Sequence, residues 1–156
     1  MPGAIRPVIR IQPGDFNVAA EIAALTAGRT DIGAVVTFSG LCRDEDGALA
    51  ALELEHYPGM AEAEIGRIAA KAAERWPLQG VTVIHRYGRM KPGDNIVLVV
   101  TASRHRQAAF DAAVFLMDYL KTSAPFWKKE HGADGSEGGW VDAKETDDEA
   151  AARWRR

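Results

Sequence analysis

Residues 81–103, "VTVIHRYGRMKPGDNIVLVVTAS", hold two runs dense in β-branched residues, "VTVIHRYG" and "NIVLVVTAS". Between them lies "RMKPGD", in which Pro92-Gly93 marks a turn. Val, Ile and Thr suit a pleated, half-buried surface. Strands joined this tightly pair antiparallel, because a parallel pair needs a crossover of a dozen or more residues. The stretch therefore argues for a mixed α+β domain and against a doubly wound parallel sheet.

Working back toward the start, "MAEAEIGRIAAKAAERW" (60–76) spaces Ile65, Ile68, Ala72 and Trp76 as one helical stripe, and Pro77 stops it. "ALELEHY" (51–57) alternates, with Leu52, Leu54 and His56 on one face and Glu53, Glu55 and Tyr57 on the other. "DIGAVVTFSG" (31–40) reads as a buried strand, followed by the polar loop "LCRDEDGA". "DFNVAAEIAALTAG" (15–28) reads as a helix capped by Asp15 or Asn17, with Gly28 just past its end. "RPVIRIQ" (6–12) is a short strand. Toward the other end, a helix is predicted from about Arg104 to Ser123, since Pro125 disfavours helical geometry at Ala124. A glycine-rich loop, a short strand around Trp140-Val141 and a polar tail from about residue 145 complete the chain. One domain over residues 1–156 is expected.

The 156 residues are 47% hydrophobic with a net charge of -3, which suits a packed domain and disfavours bulk nucleic-acid binding. The single cysteine, Cys42, excludes an internal disulfide framework and a CxxC metal site. No apolar run approaches the ~18 residues of a membrane helix, and "MPGAIRPVIRIQPGD" lacks a signal-peptide apolar region. A cytoplasmic protein without membrane or nucleic-acid partners is the expectation.

Two features of the helix at 104–123 call for explanation. With Phe110 at zero on a helical wheel, Val114 falls at about 40°, Met117 at about 340° and Lys121 at about 20°. Lys121 thus shares a stripe with apolar residues, while Asp111 and Asp118 mark another, solvated face. It either snorkels from the last turn toward solvent or stands at the mouth of an apolar pocket as an acid, base or nucleophile. Lys128 follows beyond Pro125, beside Phe126 and Trp127, which read as core or interface anchors. At the other end, Ser103 can cap the helix, yet Arg104, His105 and Arg106 oppose its dipole at ~0.3–1 kcal/mol each if exposed. Either a bound phosphate or an acidic loop such as "DEDG" would compensate.

Arg43, after "TFSGLC", follows a strand end, where Gly40 would allow a turn or a close approach. Cys42 could be an activated thiolate, though a lone cysteine more often packs as a small hydrophobe. The four histidines lack metal-ligand spacing, and His56 reads as a satisfied core histidine.

Taken together, "GAVVTFSGLCR", "LELEHYPGM", "RWPLQGVTVIHRYGRMKPGDNIVLV", "SRHRQAAFDA", "FLMDYLKTSAPFWKKE" and "WVDA" resemble the large, catalytic subunit family of molybdopterin synthase, from about Gly33 to Lys144. The resemblance implies an α/β-hammerhead with an additional antiparallel sheet. It implies transfer of two sulfur atoms to cyclic pyranopterin monophosphate (precursor Z), forming the dithiolene of molybdopterin. The implied donor is a small ubiquitin-like subunit bearing a Gly-Gly thiocarboxylate, and the implied assembly is a homodimer within a heterotetramer. No metal or other cofactor is implied. By the same resemblance, Lys121 and Lys128 are the catalytic candidates and also touch substrate. Arg43, His105 and Arg106 match substrate-binding positions, and Phe38 and Met117 line the site. Lys144 stands where members often carry an arginine thought to reach a neighbouring subunit's site; lysine keeps the charge and loses the bidentate fork. Leu41 replaces a basic residue found in some relatives. Two alternatives compete: a Cys42-dependent persulfide sulfurtransferase, and a non-catalytic module binding anions or nucleotides through "SRHR".

Overall fold

The computed structural model describes residues 5–44, 46–122, 125–140 and 154. The elements run β1 (Val8–Gln12), α1 (Val18–Thr26), β2 (Ala34–Leu41), β3 (Leu49–His56), α2 (Met60–Arg75), β4 (Leu78–Arg86), β5 (Gly88–Met90), β6 (Asn95–Ser103), α3 (Arg106–Thr122) and β7 (Phe126–Gly132). They form two sheets. One has four strands in the order β1-β4-β6-β2; the other has three, β5-β3-β7. The β4–β6 pair is antiparallel, as the opening hairpin requires, and pairs Ile84 with Leu98 and His85 with Val97. Only β1 runs parallel to its neighbour β4. The α+β architecture with an additional antiparallel sheet is as expected.

Alternation along β4 and β6 divides the four-stranded sheet into two faces. Val81, Val83, Val97 and Val99 pack with Ile65, Ile68 and Ala72 of α2 and with Ala112, Phe115, Leu116 and Leu120 of α3. Ile84, Leu98 and Val100 face the other way, onto Ile22 and Leu25 of α1. Ile65 and Ile68 are fully enclosed, each contributing about 1.5–3 kcal/mol of burial. The predicted cap of α1 is Asn17, whose Oδ1 accepts from the Ala20 N–H at 3.0 Å. Asp15 instead accepts from the Asn95 side chain.

Several expectations are corrected. β2 is an edge strand and half exposed rather than buried. The α3 stripe taken for core is its open side: Phe110 is 54% and Val114 44% exposed, while Ala109, Ala112, Leu116 and Leu120 face inward. Asp118 is not simply solvated, because it accepts from the indole N–H of Trp154. Ser103 does not cap α3; its hydroxyl donates to the Pro77 carbonyl at 2.8 Å. Strand β7 was not anticipated, and β5 extends pairing into the connection after "VTVIHRYG". Trp140 lies outside any strand, and Val141 is outside the described residues.

Candidate active site

The direction of α3 decides which candidates meet. Its start lies over Thr101, whose hydroxyl donates to the Ala109 carbonyl at 2.7 Å. Its end brings Leu120 into the cluster that contains Val97 and Val83. The helix therefore runs back along β6. His85 follows Val83 by two residues and pairs with Val97, so its side chain sits on this same face, beneath the last turn of α3. Lys121 projects from that turn, exposed to solvent, close enough for its charge to oppose protonation of His85.

Strand β7 brings in the second lysine. Its register against β3 sets Phe126 opposite His56 and Lys128 opposite Leu54, and alternation puts all four on one face. Phe126 stacks on His85, with ring centroids 3.8 Å apart and planes 15° from parallel. It lies 5.8 Å from His56 on its other neighbour strand. Lys121 and Lys128 thus flank one aromatic–imidazole cluster that bridges the two sheets. Neither makes an ion pair or hydrogen bond among the described residues. Lys129, on the opposite face, is occupied: it pairs with Glu137 at 3.3 Å and lies over the Trp140 ring.

Burial lowers the pKa of His85 to about 4, and the charges of Lys121 and His56 act in the same direction. Its Nδ1–H donates to the Arg86 carbonyl at 2.8 Å, since a carbonyl can only accept. His56 departs from expectation: its Nδ1 is buried without a hydrogen-bond partner among the described residues. The sequence signal for both rings was available, a histidine in phase with core residues on a strand, but it does not reveal that they converge.

Arg43 stands at the same end of the four-stranded sheet. β2 pairs Leu41 with Asn95, and Cys42 continues the contact by donating its N–H to the Asp94 carbonyl at 2.8 Å. Arg43 is exposed beyond it. Gly40 makes no turn; it lies inside β2, where a Cβ would come within 2.7 Å of a Val97 methyl and 3.3 Å of the Phe38 ring. Phe38 is 39% exposed, and Met117 packs half-buried against the main core. Cys42 is 3% exposed, and burial, with Asp94, Asp44 and Glu130 nearby, pushes its thiol pKa up. An activated thiolate is disfavoured there, which weakens the persulfide alternative.

His105 and Arg106 are not part of this cluster within one chain. They open α3, about 22 Å along the axis from Lys121. Both are exposed, and α3 has no acidic residue in its first turn. Asp44 of the "DEDG" stretch does not neutralise them: it lies past the far end of β2, where it accepts from the Gly47 and Leu49 N–H groups. Gly33 holds this end close, donating to the Ser103 carbonyl at 3.0 Å. Lys144 lies outside the described residues.

A two-sheet α+β protein whose sheet-to-sheet junction carries two lysines without an ion-pair partner among the described residues is the class that fold and site define. Residues 11–123 match the family described as MoaE protein, and the chain belongs to that family. It is 76% identical to the molybdopterin synthase catalytic subunit of Mesorhizobium japonicum over 155 residues, covering 99% of this chain and 98% of the relative. The structure of molybdopterin cofactor biosynthesis protein E from Burkholderia multivorans superposes with a TM-score of 0.83 at 50% identity, over 96% of this chain and 97% of that one. A Helicobacter pylori structure shares the fold at a TM-score of 0.70 and 22% identity, covering 88% and 90% of the two chains. It is a complex of subunits 1 and 2 of molybdopterin-converting factor. Among the described residues, no helix is long and apolar enough to cross a membrane.

Proposed function

We propose that this chain is the sulfur-transferring subunit of a molybdopterin synthase. It takes sulfur from the C-terminal thiocarboxylate of a small Gly-Gly partner and places it on precursor Z. The observation that carries this reading is the pair Lys121 and Lys128, set around Phe126 with no counter-ion among the described residues. Amines left unpaired at the edge of an apolar cluster can stabilise developing negative charge and move protons.

In this reading the thiocarboxylate sulfur attacks a side-chain carbon of the pterin and forms a C–S bond as that carbon's C–O bond breaks; for one sulfur the oxygen leaves with the opened cyclic phosphate, for the other it leaves as water. Water then attacks the acyl carbon, the acyl–sulfur bond breaks, and the partner leaves as its carboxylate while sulfur stays on the pterin. Lys121 and Lys128 stabilise the oxyanions of both steps. Arg43 contributes a cation at the same end of the sheet. His105 and Arg106 bind the phosphate of precursor Z from a neighbouring copy, because α3 holds them about 22 Å from their own Lys121. The basic start of α3, with no acidic residue in its first turn, suits that anion. A homodimer with one small subunit at each end supplies both halves of the site.

Reconstitution tests this directly. The purified chain, thiocarboxylated partner and precursor Z should yield molybdopterin in a single turnover. Lys121→Ala should fold and bind the partner, yet lose about 10²–10⁴-fold in rate. Wild-type rates in that variant would refute the assignment.

A further inference from the structure

We infer that the open edge of β2 and the outward stripe of α3 form one self-complementary face, which pairs with the same face of a second copy about a two-fold axis between Ala113 and Val114. The interface stands on geometry alone; its use in sulfur transfer rests on the function proposed above.

β2 ends the order β1-β4-β6-β2, so among the described residues no strand lies along its outer edge. The strand is 8 residues long, and Thr37, Phe38 and Ser39 at its centre are exposed. A long open edge of this kind is a template for pairing with another chain. On the sheet above it, α2 packs over β1 and β4, while α3 packs over β6 and β2. Phe115 of α3 turns toward α2, meeting Trp76 edge-on at its end. Phe110, Val114 and Met117 lie on the opposite side of the helix, roughly 100–160° round from Phe115. That stripe therefore points past β2, away from α2. Phe38 pairs with Val99, which packs under α3, so its ring stands on the same side of the sheet, below the stripe.

One axis serves both elements. Residues 34–41 have their midpoint between Thr37 and Phe38. Val36 pairs with Thr101, whose hydroxyl donates to the Ala109 carbonyl. The midpoint of β2 lies about 5 Å beyond Val36, and the same step along α3 leads from Ala109 to about Ala112. The stripe has its own centre a residue or so further on: a two-fold between Ala113 and Val114 exchanges Phe110 with Met117 and Arg106 with Lys121. The lateral distances agree as well. Antiparallel edges pair about 4.8 Å apart. α3 lies above the gap between β2 and β6, about 5 Å from such an axis, so the two copies of α3 come about 10 Å apart, within reach of ordinary helix packing. Strand pairing and helix packing close together. The face is about 25 Å long and about 20 Å high, so two copies cover roughly 1,000 Å², the threshold for a specific interface. Arg106 of one copy then stands across from Lys121 of the other, instead of about 22 Å away along its own helix.

Cross-linking reads the interface without any assay of activity. In a Cys42→Ala background, Val114→Cys should give a disulfide-linked dimer on mild oxidation, since helices about 10 Å apart bring residues beside the axis within bonding range. Lys71→Cys, exposed on α2, should not. Sedimentation is the second measurement. Val114→Asp places two like charges against each other across the axis and should raise the dimer Kd at least about 100-fold. Val114 is exposed in the single chain, so the fold should survive, as circular dichroism would check. A dimer that ignores Val114→Asp, or a Val114→Cys chain that stays unlinked, overturns the inference. So does a Val114→Cys thiol that only the small partner shields from labelling, which would give this face to the partner instead. If the cross-link forms while Lys121→Ala keeps its rate, the interface stands and the proposed function fails, so the two failures are distinguishable.

Discussion

The two ends of α3 are built on opposite principles. At its end, Lys121 stands over a buried cluster in which His85, Phe126 and His56 are packed ring against ring across two sheets. At its start, Arg104, His105 and Arg106 lie exposed on backbone whose helix has no acidic residue in its first turn. One end is preorganised by packing; the other is an exposed basic cluster. The difference teaches that one chain carries a packed cluster and an exposed basic cluster, held about 22 Å apart by the helix between them.

The largest expected effect tests that division. Lys121→Ala and Arg106→Ala should each be nearly inactive alone. If a site draws on both ends from different copies, unfolding and refolding the two variants together should restore activity in mixed dimers, up to about a quarter of wild type for random pairing. No recovery, measured as molybdopterin formed, would mean that the two ends never share a site.

Next comes a component of acid stability that His85 gives the packed end. The pKa of His85 is about 6.5 in the unfolded chain and about 4 when folded. The unfolded state therefore binds the proton more readily, and stability falls as pH drops from 6.5 toward 4. The loss is on the order of 3 kcal/mol. His85→Phe should lack this component, which urea melts across that window would detect; parallel pH dependence in the two proteins would contradict it.

A smaller effect addresses the basic end. A Cβ at Gly33 would meet the Arg104 carbonyl oxygen at 2.2 Å. Gly33→Ala should cost about 1–3 kcal/mol through forced backbone shifts and weaken precursor binding, with the packed end unchanged. Calorimetry of precursor Z and of the small partner would separate these: weakened partner binding with intact precursor binding is the contrary result. The smallest effect is at Cys42. Cys42→Ala should transfer sulfur at a near-normal rate, and a dead variant would revive the persulfide reading.

The packed end was only partly legible in the sequence. The hairpin at residues 81–103 announced itself through β-branched density and a Pro-Gly turn, and α2 through its apolar spacing. Strand β7 did not, because "FWKKEHG" places an aromatic and a lysine on each face and so shows no apolar alternation. The stripe on α3 misled for a related reason. Phe110 and Val114 are apolar, but the helix turns its alanines and leucines to the sheet, where small side chains allow close approach. Ser103 had the right chemistry for a cap, yet a distant carbonyl, that of Pro77, claimed its hydroxyl. The family resemblance named Lys121, Lys128, Arg43, His105 and Arg106 together; only the direction of α3 shows that they divide into two groups.

The odd–even alternation of β7 gives adjacent lysines unlike fates. Lys128 sides with Phe126, while Lys129 turns to Glu137 and Trp140. Parity therefore constrains how this segment can change. Deleting one residue between Pro125 and Lys128 would exchange the two lysines, a swap that no side-chain replacement mimics. Deleting two would shorten the strand but leave each amine on its own side.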